Sequence, residues 1–104
     1  MFPISAALLD AMVLALVEKE ATYGYKITQD IQNAVKVSES TLYPVLRRLQ
    51  KSGALETFDR AHDGRNRRYY QITDLGKAML IQYRKDWTVH KSQIDAILKE
   101  DLLS

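Results

Sequence analysis

From Leu75 onward one stripe dominates the sequence. Leu75, Met79, Tyr83, Trp87, His90, Ile94 and Ile97 recur every three or four positions, Leu98 adjoins the last, and no proline interrupts them. That spacing predicts one α-helix with a single apolar face. Thr73 is its expected N-cap, and Asp74 places an acid in the first turn. Continued to about Glu100, the helix is ~40 Å long at ~1.5 Å per residue. A chain of 104 residues makes one domain with one modest core. The rod is longer than the rest of such a domain needs.

Three shorter helices and a hairpin precede it. Ser5 is the expected cap of the first helix, in which Leu8, Leu9, Met12, Val13, Ala15 and Leu16 follow at helical spacing to about Lys19. The apolar run Ala6 to Val17 is interrupted by Asp10, has no Lys or Arg before it, and is followed by Glu18, Lys19 and Glu20. It falls short of the ~20 apolar residues that span a bilayer. It reads as an amphipathic core helix, not as a targeting segment. A second helix is expected from roughly Tyr23 to Ala34, with Thr22 as cap and Ile27 and Ile31 facing inward. Tyr23-Gly24-Tyr25 forms a tight lead-in, where glycine lets the backbone approach a neighbouring helix.

The third helix starts in the Ser/Thr-rich stretch Val37 to Tyr43. Leu42, Val45, Leu46 and Leu49 make its apolar stripe, with Tyr43, Arg47, Arg48 and Lys51 largely off it. Gly53 sits where a left-handed C-terminal cap belongs. Pro44 removes one backbone donor, so the helix is expected to begin late or bend at its start. Ala54 to Arg60 and Arg67 to Thr73 read as strands rich in β-branched and aromatic residues. The intervening Ala61 to Asn66 contains Asp63-Gly64, a strong turn signal. Together they make a two-stranded hairpin with a basic tip.

Composition excludes several classes. The 46% hydrophobic and 27% charged fractions are those of a soluble globular chain. With no cysteine, there is neither a disulfide framework nor a thiolate metal site, which fits a reducing cytoplasm. The net charge of +2 is unevenly spread. Lys36, Arg47, Arg48, Lys51, Arg60, Arg65, Arg67 and Arg68 face only four acids between positions 36 and 70, a balance of +4, which leaves −2 for the rest. A polyanion fits that middle third; a merely solvated face is the alternative.

The expected architecture is therefore mostly α with a small β-hairpin: a winged helix-turn-helix followed by a long C-terminal helix. The third helix has one apolar face and one bearing Ser, Thr, Tyr and Arg. It can enter a major groove ~12 Å wide, with its N-terminal part against base edges. The hairpin supplies the wing, for a phosphate ridge or the minor groove.

At these residues the sequence resembles one family. Ser40-Thr41-Leu42-Tyr43-Pro44-Val45-Leu46-Arg47-Arg48-Leu49, followed by Gly53-Ala54-Leu55, resembles the recognition-helix signature of PadR regulators. Arg67-Arg68-Tyr69-Tyr70-Gln71-Ile72-Thr73-Asp74-Leu75-Gly76 resembles their wing strand and the turn into their C-terminal helix. Tyr23-Gly24-Tyr25 resembles the lead-in to their second helix. Length and the single C-terminal helix are similar to the shorter branch of the family. Ala54 departs from it, since members more often carry a bulkier aliphatic there, which bears on packing. The resemblance implies a cytoplasmic homodimeric repressor whose C-terminal helices pair across a two-fold axis. It also implies double-stranded DNA with an inverted-repeat operator as partner, its half-sites about one DNA turn apart. Residues 1–73 would be the DNA-binding domain and 74–104 the dimerisation helix.

Each candidate residue also has a plainer role. Tyr43 matches a family position that contacts base or phosphate, although a lone tyrosine is more often filler. Ser40 and Thr41 are phosphate donors, helix caps, or both. Arg47 and Arg48 lie beside Tyr43, and one at least is expected on phosphate. Lys51 and Lys36 are weaker phosphate candidates. Arg65, Arg67 and Arg68 are the densest cationic cluster, but alternation along a strand sends Arg67 and Arg68 to opposite faces. By the same alternation one of Tyr69 and Tyr70 is core. Leu8, Met12, Tyr83, Trp87, His90 and Ile94 are expected at a dimer interface, where packing is the plain reading of Trp87. Multidrug-sensing PadR relatives carry a Trp at a similar position beside a hydrophobic pore, which implies a flat aromatic effector there.

A winged-helix protein-interaction module without specific DNA binding is the alternative; the basic wing and polar third helix argue against it. No enzyme is expected, for there is no Ser/His/Asp arrangement and no Gly-rich phosphate loop. His62 and His90 lie far apart without acidic ligand spacing, so neither a metal nor another cofactor is expected.

Overall fold

The computed structural model describes residues 3–99. Helices α1 (Ala6–Lys19), α2 (Gly24–Ala34) and α3 (Glu39–Lys51) precede strands β2 (Leu55–His62) and β3 (Arg65–Ile72), and helix α4 (Asp74–Leu98) closes the order. A two-residue strand β1 (Thr22–Tyr23) lies between α1 and α2.

Local chemistry sets most boundaries. The Ser5 hydroxyl accepts from the Leu8 amide at 3.2 Å and starts α1. The Thr73 hydroxyl does the same for α4, accepting from the Gly76 amide at 3.1 Å. Helix α3 is capped by Ser38, whose hydroxyl accepts from the Thr41 amide at 3.2 Å. It runs unbroken through Pro44, so its start is not delayed. The missing proline donor costs one backbone bond, which the buried stripe Leu42, Val45, Leu46 and Leu49 outweighs. The helix ends as expected. Gly53 adopts φ +88°, the Ala54 amide donates to the Leu49 carbonyl at 2.9 Å, and the Gly53 amide to the Gln50 carbonyl at 3.1 Å. These are the two bonds of a Schellman cap, which a left-handed residue makes possible.

The hairpin is longer than expected. Its antiparallel register runs from Leu55↔Ile72 to His62↔Arg65, so the loop shrinks to Asp63-Gly64. Both turn residues have positive φ, 52° and 76°, which matches the twist of the flanking strands. Sequence reasoning also missed β1. Thr22 does not cap α2: Tyr23 stands at the N-cap without a side-chain bond, and the two residues pair antiparallel with Tyr70 and Tyr69 and make the sheet three-stranded, in the order β1-β3-β2. A β-branched residue and an aromatic suit a strand, but their partner lies far along the chain, so no local pattern reports the pairing.

The core is built from Leu9, Val13, Leu14 and Val17 of α1, Ile27 and Ile31 of α2, the α3 stripe, Ala54, Leu55, Tyr70 and Leu80. Tyr70 belongs to this cluster; Tyr69 lies on the opposite face of the sheet. The small Ala54 is fully buried and its carbonyl receives the Thr73 amide at 3.1 Å. Gly76 of α4 rests directly on that carbonyl. Leu80 is buried one turn on, and every residue from Arg84 to Ile94 is exposed. The second half of α4 thus projects, which stretches the molecule to 61 × 28 × 20 Å. The predicted end of this helix near Glu100 falls outside the described residues. Among those residues, no helix is long and apolar enough to cross a membrane.

The Gly76 contact gives a direct test. A Cβ there would run into the Ala54 carbonyl and stand 2.7 Å from Ile72 Cγ1. We expect Gly76→Ala to cost about 2–3 kcal/mol, lowering Tm by roughly 10 °C or more. Thermal melts of the two proteins check it. A Tm within about 2 °C of wild type would mean that α4 can slide off β3 at little cost.

Candidate functional site

Burying Leu42, Val45, Leu46 and Leu49 fixes which side of α3 faces out. Ser40, Tyr43 and Arg47 then follow one another at three- and four-residue spacing along the exposed side, and Lys51 continues the line. Lys36 is exposed in the loop before α3. The hydroxyls of Ser40 and Thr41 each lie 2.9 Å from Ser38 Oγ, so both join the cap while remaining at the surface. The Tyr43 ring lies against the first turn of α2, where a Cβ on Gly24 would stand 3.4 Å from Tyr43 Cε1. A larger side chain at Gly24 would push this ring outward.

The wing meets that face. Tyr23, Gly24, Tyr25, Tyr43, Arg67, Arg68 and Tyr70 line one concave surface of about 490 Å³. It lies where β1 stops and the edge of β3 runs on uncovered past Tyr69. The Arg67 guanidinium stacks 4.0 Å from the Tyr23 ring centroid, and Arg68 is exposed. Arg65 stands at the turn end of the hairpin, opposite His62. Tyr43, Arg67 and Arg68 are thus brought together, while Arg65 and Lys51 lie beyond this concavity. Tyr23 and Tyr25 were missed as site residues. The signal available was their position on either side of a glycine, which sequence reasoning assigned to helix packing alone.

Of the two arginines expected beside Tyr43, Arg48 is the one with a partner inside the domain. It lies off the line of Ser40, Tyr43 and Arg47, and its guanidinium pairs with the Asp10 carboxylate on α1. Asp10 Oδ2 also accepts from the Tyr83 hydroxyl of α4 at 3.2 Å. One carboxylate, 12% exposed, therefore joins α1 to both α3 and α4. Burial, then the nearby Asp10 charge, keeps the Tyr83 hydroxyl protonated above its ordinary value of 10.0. Asp10 had signalled itself only as an acid interrupting an apolar run.

Tyr83 also opens a second region. Between α1 and α4 lies a groove of about 340 Å³ whose walls include Leu8, Met12, Leu80, Tyr83 and Trp87. A neighbouring hollow of about 490 Å³ shares Leu8, Tyr83 and Trp87 and adds Asp86, His90 and Gln93. Trp87 divides the two, 45% exposed, with the His90 ring 6.3 Å from its own. Ile94 lies further out on α4 and is 41% exposed. Five of the six expected residues thus line these two adjoining hollows, and Ile94 lines neither. Arg84 closes one rim through a 3.2 Å ion pair with Glu18. Among the described residues, no group of three or more potential ligands could hold a metal ion.

A three-helix core with a basic hairpin wing and a projecting helix is the architecture of a winged-helix regulator. Residues 13–82, from α1 into α4, match the profile of the family described as Transcriptional regulator PadR-like family. The chain belongs to that family of transcriptional regulators. It is similar to the crystal structure of smu.1704 from Streptococcus mutans, with 44% identity, a TM-score of 0.88, and coverage of 94% of this chain and 92% of the other. A PadR-like transcriptional regulator from Bacillus cereus superposes with a TM-score of 0.81 at 29% identity, covering 88% and 92%. The transcriptional regulator Rv3488 of Mycobacterium tuberculosis is 41% identical over 64 residues, 61% of this chain and 60% of its own length.

The Asp10–Arg48 pair is open to a double-mutant cycle. Breaking a largely buried pair leaves one charge uncompensated, but the half-exposed Arg48 side chain limits the loss. For Asp10→Asn, Arg48→Gln and the double variant we expect a coupling of about 1–3 kcal/mol in urea unfolding. Coupling below about 0.5 kcal/mol would show the pair to be idle.

Proposed function

We propose that the protein is a sequence-specific DNA-binding repressor that acts as a homodimer on an inverted repeat. The observation that carries this reading is the meeting of the exposed α3 line with the wing arginines in one concavity. Helix α3 enters the major groove, and Tyr43 and Ser40 stand nearest the base edges. Arg47, Lys36, Thr41 and Lys51 flank it on phosphates, and Arg65, Arg67 and Arg68 hold the adjoining ridge. Arg48 acts from behind, keeping α3 in place through Asp10. Residues 1–73 read DNA and residues 74–104 pair the protomers, the first turns of α4 also serving the core.

Pairing is supported by the projecting half of α4. Among the described residues, Trp87, Val89, Ile94, Ile97 and Leu98 are large apolar side chains left exposed there. A second copy with the same stripe removes that surface from water. Two-fold pairing presents two α3 helices about one helical turn of DNA apart, ~34 Å, and an inverted repeat matches that symmetry. The groove of about 340 Å³ between α1 and α4 beside Trp87 has mostly apolar walls, which supports a small aromatic effector that releases the operator.

The purified protein, challenged with fragments from around its own gene in excess bulk DNA, should protect two symmetric half-sites of one fragment. Tyr43→Ala and Arg65→Gln should each weaken that binding about tenfold or more. Salt-insensitive capture of a protein, with no preference for any DNA, would instead make it an interaction module. Pairing is tested separately. Ile94→Asp puts a charge into the proposed interface and should shift the protein from dimer to monomer in sedimentation. An unchanged dimer would place the interface elsewhere.

A further inference from the structure

Strand alternation sorts the wing into two unlike faces. Phe58, Arg60 and His62 of β2 share one face with Arg65, Arg67 and Tyr69 of β3 and Tyr23 of β1. On that face Arg60 stands directly opposite Arg67, and His62 opposite Arg65. On the other face Asp59 stands opposite Arg68, an ordinary pairing of unlike charges. Like charges directly opposed across strands are destabilising, so the first arrangement needs a compensating use.

The aromatic side chains beneath supply the local part. Tyr23, Tyr69 and Phe58 form a ladder across all three strands, with ring centroids 5.6 Å and 5.5 Å apart. The Arg60 guanidinium lies 4.6 Å from the Tyr69 centroid and 5.3 Å from that of Phe58. The Arg67 guanidinium lies 4.0 Å from that of Tyr23. Stacking fixes each planar group and leaves its N–H edges free to donate. Among the described residues, Arg60, Arg65 and Arg67 have no acidic partner at ion-pair distance. Two acids are near this face. Exposed Glu56 precedes Phe58 on the same face and accepts from Gln71 at 2.5 Å, and Asp63 lies 3.3 Å from His62 at the turn.

We propose that this outer face of the wing is a phosphate-binding surface, on which Arg60, stacked over Tyr69, acts with Arg65 and Arg67 on the backbone of duplex DNA. Planar donors held in fixed orientation match phosphate oxygens bidentately. DNA is favoured over an acidic protein by continuity: Arg67 and Tyr23 also line the concavity that holds Tyr43. The inference rests on the DNA-binding reading above and adds to it a residue, Arg60, and a face of the sheet.

The test uses the full chain and a mixed-sequence duplex about three helical turns long, with affinity measured across a salt series. Arg60→Gln should bind about tenfold more weakly at low salt, and its log–log salt slope should be shallower by about 0.9. Its melting temperature should stay near that of wild type. Unchanged affinity and slope, with a lowered melting temperature, would make Arg60 a mere cover for the rings. Should the glutamine variant fail to fold, Arg60→Lys keeps the charge without the planar edge. It should bind several-fold more weakly at an unchanged melting temperature, and wild-type binding would overturn the proposal. Normal binding by Arg60→Gln beside a defect in Tyr43→Ala removes this inference alone. Wild-type protein that ignores every duplex removes the DNA reading with it.

Discussion

The Asp10 carboxylate sits where three helices must agree. Arg48 reaches it from α3 and Tyr83 from α4, so the exposed line of α3 and the departing direction of α4 are referred to one point on α1. Apolar packing alone would leave both helices some freedom to slide or roll, because dispersion contacts are non-directional. A hydrogen-bonded pair at a mostly buried site does not tolerate that freedom, since a misplaced partner leaves a desolvated charge. The tyrosine that donates to this carboxylate also lines the groove beside Trp87. The groove between α1 and α4 and the outward face of α3 are thereby mechanically adjacent.

The rest of the structure divides its apolar surface between two uses. Inside the domain it is spent on a core shared by α1, α2, α3 and the sheet, closed by Leu80. Beyond Tyr83, among the described residues, α4 meets no further core, yet aromatic and aliphatic residues continue at helical spacing. Exposed stripes of this kind mark association sites in soluble proteins. The positive charge is organised by a parallel logic. It is placed where backbone geometry is most constrained, on a capped helix and on a hairpin closed by a two-residue turn, so that cations keep fixed spacings.

Much of this was legible in the residues themselves. Ser5, Thr73 and Gly53 announced helix ends because caps act over three or four residues. The α3 stripe and the α4 stripe announced their faces because helical periodicity needs no knowledge of the partner. Asp63-Gly64 announced the turn, although the strands on either side proved longer than their β-favouring residues implied. Pro44 did not delay the start of α3, where the buried stripe outweighs one lost bond. Alternation announced that one of Tyr69 and Tyr70 would join the core but not which; packing chose Tyr70 and buried Tyr69 to the same extent on the opposite face.

The sequence by itself determined the order of helices, the hairpin, the surplus length of α4 and the cationic middle third, all of which follow from short-range periodicity, caps and turn chemistry. Only the tertiary structure decided that Thr22 and Tyr23 would form a strand, that Arg48 would turn to Asp10, and that Arg60 would stand opposite Arg67 over a ladder of rings. Each of these joins residues from separate elements. Their pairing depends on how those elements pack and in what register, and no local preference encodes that choice.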